Sequence, residues 1–486
     1  MAERALMYLG IDLGTSELKA LLLAPDHRVL AQAGRALQVS SPHPLWSEQA
    51  PADWEAALVG ALDELAAKAP EAMGAVRAIG LAGQMHGAVA LDTAMAPIRP
   101  AMLWNDQRSH DECLEIDSTC PQAPALAGNR AMPGFTAPKL LWMKHHEPEL
   151  FARVALVLLP KDYLRLRLTG EAISDMSDAS GTFWLDVGRR DWSDELLAAS
   201  GMTRAQMPTL AEGSAVAGRL RAGWARRWGM GDDVMVAGGA GDNAASAVGM
   251  GIVRPGEGFL SLGTSGVIFR VTEGFAPNAA ACIHAFCHAL PESWHQMAVM
   301  LSAAASLRWV TRLTGHAHEA DLLTEIAGLS PEARQNAPLF LPYLTGERTP
   351  HNSATAKGAF LGLSAHHGPA ALGYAVLEGV GFGLRDGMLA LGEAADTKEM
   401  LLVGGGSRSP FWSQMLADHL GVTLHLAESG EAAGALGAAR LAWLADGGDA
   451  ASICQRPAIH HSYVPQAEPP LERYARFRNA WPAASA

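Results

Sequence analysis

The chain is poor in features that would commit it to several large classes of protein. It holds only five cysteines in 486 residues, at Cys113, Cys120, Cys282, Cys287 and Cys454. An odd, scattered set of this kind cannot build a disulfide framework and reads as reduced thiols of a cytoplasmic protein. No apolar run approaches the roughly 18 residues that a membrane helix needs, so no membrane partner is expected. The opening stretch MAERAL lacks the apolar core of a secretory signal and reads as a short extension before the first strand. No basic run exists and the formal charge is −13. Binding to nucleic acid by counterion displacement is therefore excluded. A nucleotide substrate is not excluded, because backbone amides and a divalent cation can neutralise a polyphosphate. A Walker A sequence, a Gly-x-Ser-x-Gly elbow and a His-Glu-x-x-His helix are all missing, which removes P-loop, hydrolase and zincin readings. The segment CIHAFCH mixes metal-ligand residue types, but no second cluster completes a zinc site and the segment reads as an apolar strand.

What is present is an alternation of strand-like and helix-like segments from end to end, which reads as α/β. The length calls for at least two large domains. MYLGIDLG, ELKALLLA and RVLAQAGRAL read as three antiparallel strands, followed by an amphipathic helix at APADWEAALVGALDELAAKA and a strand at VRAIGLAG. That order is the order of a ribonuclease-H-like unit. The second half repeats the opening: Leu13-Gly14-Thr15-Ser16 lies over Leu262-Gly263-Thr264-Ser265 without a gap, each between apolar strands, as a duplicated fold would give. The boundary falls in the Gly- and Pro-rich stretch GMGIVRPGEG, dividing the chain into 1–250 and 251–486. The copies differ where it matters: Asp12 in the first corresponds to Ser261 in the second. Two such hairpins facing across a cleft can hold a polyphosphate from both sides, and the single carboxylate can bind its Mg2+. An aspartate that merely stabilises its own turn is the plainer reading.

Four further loops could carry chemistry. GGAGDNAASAVG contains Gly239-x-Gly241-x-x-Ala244 between a strand and a helix, close to a dinucleotide fingerprint and so to a nicotinamide-dependent oxidoreductase. Asp242 in that turn would repel a pyrophosphate. It suits instead a base that takes the proton of a hydroxyl attacking a γ-phosphoryl group, or a plain N-cap. In VGGGSRSPFWSQMLADHLG, Ser409 suits an N-cap, Pro410 the first helical position and Gly421 the close. Gly404, Gly405 and Gly406 leave room for an adenosine or serve a tight turn. In AGQMHG, Met85 and His86 sit at a bend where a polar side chain can meet a polyol or satisfy structure. LWNDQRS gathers Trp104, Asn105, Asp106 and Arg108, a set suited to hydroxyl-rich substrates.

Together GIDLGTS, AGQMHG, GGAGDNAASAVG, SLGTSG, FLPYLTGERTPH and VGGGSRSPFWSQMLAD resemble the FGGY carbohydrate kinases, over about Met7 to about Ala442. The resemblance implies two ribonuclease-H-like domains of the actin, sugar kinase and heat-shock ATPase fold, flanking a central cleft. HPLWSEQ, LWNDQR, MPGFTAPKLLW and LLPKDYLRLRLTGE are similar to the branch acting on D-xylulose. They imply ATP and D-xylulose as substrates and D-xylulose 5-phosphate as product. Ribulose, gluconate and glycerol kinases of the same family are the alternatives. By position, the resemblance makes Asp242 the catalytic base and Asp12 the metal-linked carboxylate, with both assigned to Mg2+. Met85, His86, Trp104, Asp106 and Asn243 fall to the sugar. Gly14, Thr15, Ser16, Gly263, Thr264, Ser265, Gly405 and Gly406 fall to ATP. A sugar-binding N-terminal and a nucleotide-binding C-terminal domain, and a homodimer, are the family's expectation. His145, Ala371 and Ala240 depart from its usual residues.

Overall fold

The computed structural model describes residues 6–392, 397–427 and 432–485. The reading of residues 1–5 as an extension lies outside the described residues. Strand Met7–Leu13 is buried along almost its whole length, as a near-continuous apolar run dictates for a central strand covered on both faces. It pairs antiparallel with Glu17–Leu23, which pairs antiparallel with the largely exposed edge strand Val29–Ala36. On its other side it pairs parallel with Val76–Gly83. Met235–Ala237 then adds parallel, and Val216–Arg219 antiparallel, at the far edge. The helix Pro51–Lys68 starts with proline in its first turn and buries Trp54, Leu58, Leu62 and Leu65 on one face.

The second sheet repeats this plan strand for strand. Gly258–Leu262 pairs antiparallel with Gly266–Thr272, which pairs antiparallel with Trp294–Met300. Gly258–Leu262 also pairs parallel with Glu399–Val403. Thr423–Ala427 follows parallel and Ile459–Tyr463 antiparallel. CIHAFCH contributes the extra edge strand His284–Cys287, buried throughout.

The duplication differs from its sequence form in one respect. Leu13 pairs with Leu18, whereas Leu262 pairs with Gly266, so the first hairpin loop is one residue longer. The closing hydrogen bonds agree: Gly14 N–H reaches the carbonyl of Glu17, and Gly263 N–H that of Ser265. The gap-free match therefore holds along the incoming strands and through the loop, and the returning strands are offset by one.

Two short-side-chain helices join the halves. Ala433–Ala445 comes from the second half but packs on Met7–Leu13 and Val76–Gly83 of the first sheet, and against helix Asp242–Gly249. The approach is closer than any side chain would allow: a Cβ on Gly437 would lie 1.8 Å from the Ala245 carbonyl oxygen, and one on Gly10 1.9 Å from that of Ala435. Small residues at these crossings put the starts of both helices beside the first hairpin loop.

Candidate active site

The strand Met7–Leu13 carries Asp12 to its end, where helix Ala433–Ala445 begins. A Cβ on Gly434 would stand 2.4 Å from Asp12 Oδ2, so the helix backbone passes directly over the carboxylate. Asp12 Oδ1 is buried and accepts no hydrogen bond. Burial pushes this carboxyl up to about 6, against the opposing charge of Lys19. Asp242 opens the neighbouring helix. Gly241, not Asp242, occupies the N-cap position, so the plain-cap reading does not describe it. Asn243 donates its backbone N–H and its Nδ2 to Asp242 Oδ1, at 2.7 and 2.9 Å. Burial and then the nearby charge of Asp12 push Asp242 up to about 7, more than these donors offset. Two carboxylates thus face one region, and the charge of Asp12 adds to the cost of ionising Asp242.

The dinucleotide reading of the same turn fails on geometry. Gly241 is small because Met85 packs on it: a Cβ there would lie 2.8 Å from Met85 Cγ. The half-buried Asp242 carboxyl occupies the helix start where a pyrophosphate would have to sit.

Next to Met85, His86 holds a left-handed backbone with φ 67°. Its carbonyl accepts from Lys139 Nζ at 2.9 Å and Thr136 Oγ1 at 3.1 Å. Its Nδ1 lies 2.7 Å from the Gly181 carbonyl oxygen. A carbonyl only accepts, so Nδ1 carries the proton and Nε2 is left as an acceptor. Burial holds the ring neutral, down to about 3. Lys139 is itself fully buried, pulled down to about 7 by that burial and supported by the charge of Asp106.

The two members of LWNDQR singled out for the sugar separate. Trp104 is 47% exposed, and its Nε1 donates to Thr15 Oγ1 at 3.0 Å. Asp106 is completely buried. Ser47 N–H and the Arg108 backbone and guanidinium occupy both its oxygens, at 2.6 to 3.0 Å. Direct sugar contact by Asp106 is not what the fold offers; the residue anchors its loop. Sequence alone could not distinguish the two, since both are polar positions after one strand.

The first loop is pinned from below: Thr15 Oγ1 donates to Gln84 Oε1, and Gln49 Nε2 to the Thr15 carbonyl. Gly14 and Thr15 are partly open and Ser16 is exposed. In the second loop, helix Ala304–Leu313 hangs from the Gly263 and Thr264 carbonyls, and Arg308 Nη2 donates to Thr264 Oγ1 at 3.3 Å. Thr264 is exposed and Ser265 partly so.

The triple glycine does two jobs. Gly404, with φ 94°, and Gly406 let the chain cross Leu262, where Cβ atoms would fall 2.8 and 2.6 Å from its atoms. Gly405 meets nothing within 4 Å and faces a cleft of about 580 Å³. Asn243, Ser246, Ser261, Arg408 and His460 also line it. Arg408 lies within VGGGSRSPFWSQMLAD but was not singled out there, and His460 stands in no motif; the fold brings both to the cleft. Ser409 caps helix Pro410–Leu420 through Trp412 N–H, and Gly421 ends it at φ 71°. Trp412 and Met415 are core.

CIHAFCH serves the joint between the halves. His284 Nδ1 reaches Asn129 Oδ1 at 2.7 Å, and Arg348 Nη1 reaches His284 Nε2 at 3.2 Å. Among the described residues, the one group of three or more such side chains close enough to share a metal is Asp162, Asp175 and Asp178, and the ammonium of Lys161 already stands between them.

Comparisons with known proteins agree with this arrangement. Residues 7–249 match the N-terminal domain of the FGGY family of carbohydrate kinases, and residues 258–445 its C-terminal domain. The chain is 49% identical to the xylulose kinase of Escherichia coli strain K12, over 97% of this chain and 96% of that protein. The crystal structure of a xyloylose kinase from Brucella ovis superposes with a TM-score of 0.94 at 49% identity, covering 98% of this chain and 99% of that one. The xylulose kinase of Rhodospirillum rubrum gives 0.88 at 29% identity, with 98% of each chain covered. A duplicated sheet, paired Gly-Thr-Ser hairpins and two matched domains give one conclusion: the chain belongs to the FGGY family of carbohydrate kinases, which are ATP-dependent phosphotransferases.

Proposed function

We propose that the protein transfers the γ-phosphoryl group of ATP to the terminal hydroxyl of D-xylulose, giving ADP and D-xylulose 5-phosphate. The observation that carries the mechanism is the juxtaposition of Asp242 and Asp12 at the two helix starts, between the Met85–His86 bend and the Gly405 cleft. The names of the relatives carry the choice of sugar.

In this reading the polyol lies against Met85, His86 and Asn243. The neutral His86 Nε2 accepts a hydrogen bond from a sugar hydroxyl, and Trp104 forms an exposed wall that is tied to Thr15. Asp242 takes the proton of the attacking hydroxyl as the new bond forms, which a carboxylate with an elevated pKa does readily. Adenosine occupies the cleft over Gly405 and Gly406. The loops Gly14-Thr15-Ser16 and Gly263-Thr264-Ser265 take the phosphates with backbone N–H groups and hydroxyls. We assign the sugar to 1–250 and the nucleotide to 251–486. The five cysteines, all buried and free, accord with a cytosolic setting.

The residues fit a hard divalent cation. Asp12 Oδ1 is a buried acceptor without a donor, and Asp242 is the carboxylate beside it. Asp12, with Asp242 close by, would hold Mg2+, which supplies charge neutralisation on the transferring phosphoryl group. Water has to be kept from Asp242, which would activate it as readily as a sugar, so closure of the halves on sugar binding is part of the proposal.

A coupled ADP assay across ketoses and polyols tests the reading. D-xylulose gives the highest kcat/KM, and Asp242→Ala lowers turnover at least 1,000-fold while ATP still binds, a loss of the size expected for a base acting within an assembled site. A better substrate among ribulose, gluconate or glycerol overturns the sugar assignment. Turnover of Asp242→Ala within a few-fold of the parent overturns the base.

A further inference from the structure

We infer that a buried ion cluster beneath the Gly238–Asp242 turn, centred on Lys161 and reaching the turn through Ser177 and Arg165, is the positioning device for the catalytic base. The inference rests on the reading of Asp242 as that base.

The cluster is assembled from helix Pro160–Thr169, strand Ile173–Asp175 and helix Met176–Ser180. Lys161, Asp162, Arg165, Asp175 and Asp178 are all fully buried. Lys161 Nζ lies 2.7 Å from Asp162, 2.6 Å from Asp175 and 2.9 Å from Asp178. Arg165 adds a second contact to Asp162 at 3.0 Å. Two cations thus face three acids. Asp178 has neither oxygen in a well-formed hydrogen bond, and burial pushes its carboxyl well up. The opposing charges offset one another, since an uncompensated charge at this depth would be costly.

Two arms lead from the cluster to the turn. Asp175 Oδ1 accepts from the N–H and the hydroxyl of Ser177, fixing that hydroxyl. Ser177 Oγ in turn accepts from Gly241 N–H at 3.1 Å. Arg165 Nη2 donates to the carbonyl of Gly238. The turn is therefore gripped at both ends, and Asp242 is the next residue after the second grip. Glycines at 238, 239 and 241 give this turn little stiffness of its own, so its conformation has to be imposed from outside. None of these residues lines the cleft or reaches a reacting atom; they act through the backbone of the turn. A misplacement of about 1 Å at a base is enough to cost two orders of magnitude in rate, which is why a rigid support under a glycine-rich turn has catalytic value.

The test is Ser177→Ala, with Ser177→Thr as the variant that keeps the hydroxyl and Arg165→Lys as a second, independent break. Turnover is expressed per ATP-binding site titrated in the same sample, so that loss of folded protein cancels. The expected result is a kcat at least tenfold lower in Ser177→Ala and Arg165→Lys, with KM for ATP and for D-xylulose within threefold of the parent, and recovery of most of the rate in Ser177→Thr. A support with no bearing on the base would lower Tm and leave kcat per site unchanged. Ser177→Ala and Arg165→Lys both turning over within twofold of the parent would overturn the inference. Asp242→Ala in the same assay separates the two readings. If it retains turnover, the base assignment fails whatever Ser177 does; if it is inactive while Ser177→Ala is unaffected, only the positioning role fails.

Discussion

Substituting Gly437 by alanine adds one methyl group at the crossing of helices Asp242–Gly249 and Ala433–Ala445. The new Cβ would lie 1.8 Å from the carbonyl oxygen of Ala245, and ordinary contact begins at 3.4 Å. The helices must part by about 1.6 Å at this point, because a backbone carbonyl cannot rotate away as a side chain can. Overpacking of this kind costs about 1–3 kcal/mol of stability. The effect on rate should be larger than that cost suggests. Helix Asp242–Gly249 begins with Asp242, and helix Ala433–Ala445 begins over Asp12, so parting them shifts Asp242 relative to the backbone that covers the Asp12 carboxylate. A displacement of about 1 Å in such a pair lowers kcat roughly 100-fold. A coupled ADP assay at saturating ATP and D-xylulose, with a melting curve on the same sample, measures both effects. If Gly437→Ala melts a few degrees lower but turns over within threefold of the parent, the two helix starts are not the rigid frame of the site.

Other outcomes follow from the same geometry. Asp242 stands at about 7 in the ligand-free protein and must be ionised to accept a proton, so kcat/KM should fall about tenfold per pH unit below pH 7. A flat profile between pH 5 and 7, with pH-independent chemistry limiting, would contradict this. Asp12 is raised to about 6 by burial, so the folded protein holds a proton there that the unfolded chain releases near 3.8. The burial cost of its charge is thus absent below the unfolded value and grows as pH rises through the folded one. Asp12→Asn should therefore raise the Tm of the ligand-free protein at pH 8, leave it nearly unchanged at pH 4, and lower turnover at least 100-fold. A lower Tm at pH 8 would refute the assignment of an unpaired buried carboxylate. Lys139→Met removes the donor that holds the His86 and Gly134 carbonyls. Charged hydrogen bonds of this kind are worth about 1.5–3 kcal/mol, so KM for the sugar should rise roughly tenfold or more, with KM for ATP unchanged. Equal changes in both would show that Lys139 supports the fold rather than the sugar site.

The elements that were legible in the sequence are those decided by local chemistry. Strand Met7–Leu13 is a buried apolar run, the hairpins turn on Gly-Thr-Ser, and helix Pro410–Leu420 begins at Ser409-Pro410 and ends at Gly421 because caps and φ preferences act within a few residues. Asp12 and Asp242 each had an ordinary structural reading, as a turn aspartate and as an N-cap; the second Gly-Thr-Ser loop and the resemblance to the family, rather than either stretch alone, singled them out. Trp104 and Asp106 show the limit of that reasoning. They are two residues apart, yet one lies open beside Thr15 and the other is sealed under Ser47 and Arg108, and only packing from elsewhere in the chain decides which.

The sequence by itself therefore determined a duplicated α/β chain, the family to which it belongs, and the residue types available for phosphoryl transfer. The tertiary structure alone decided the seating of helix Ala433–Ala445 on the other half's sheet, the burial of the ion cluster around Lys161, and the elevated pKa values of Asp12 and Asp242. These depend on what the fold packs around each group, and for Asp242 on the charge of Asp12 from the far end of the same half; desolvation is a property of the surroundings a fold assembles rather than of any stretch of chain.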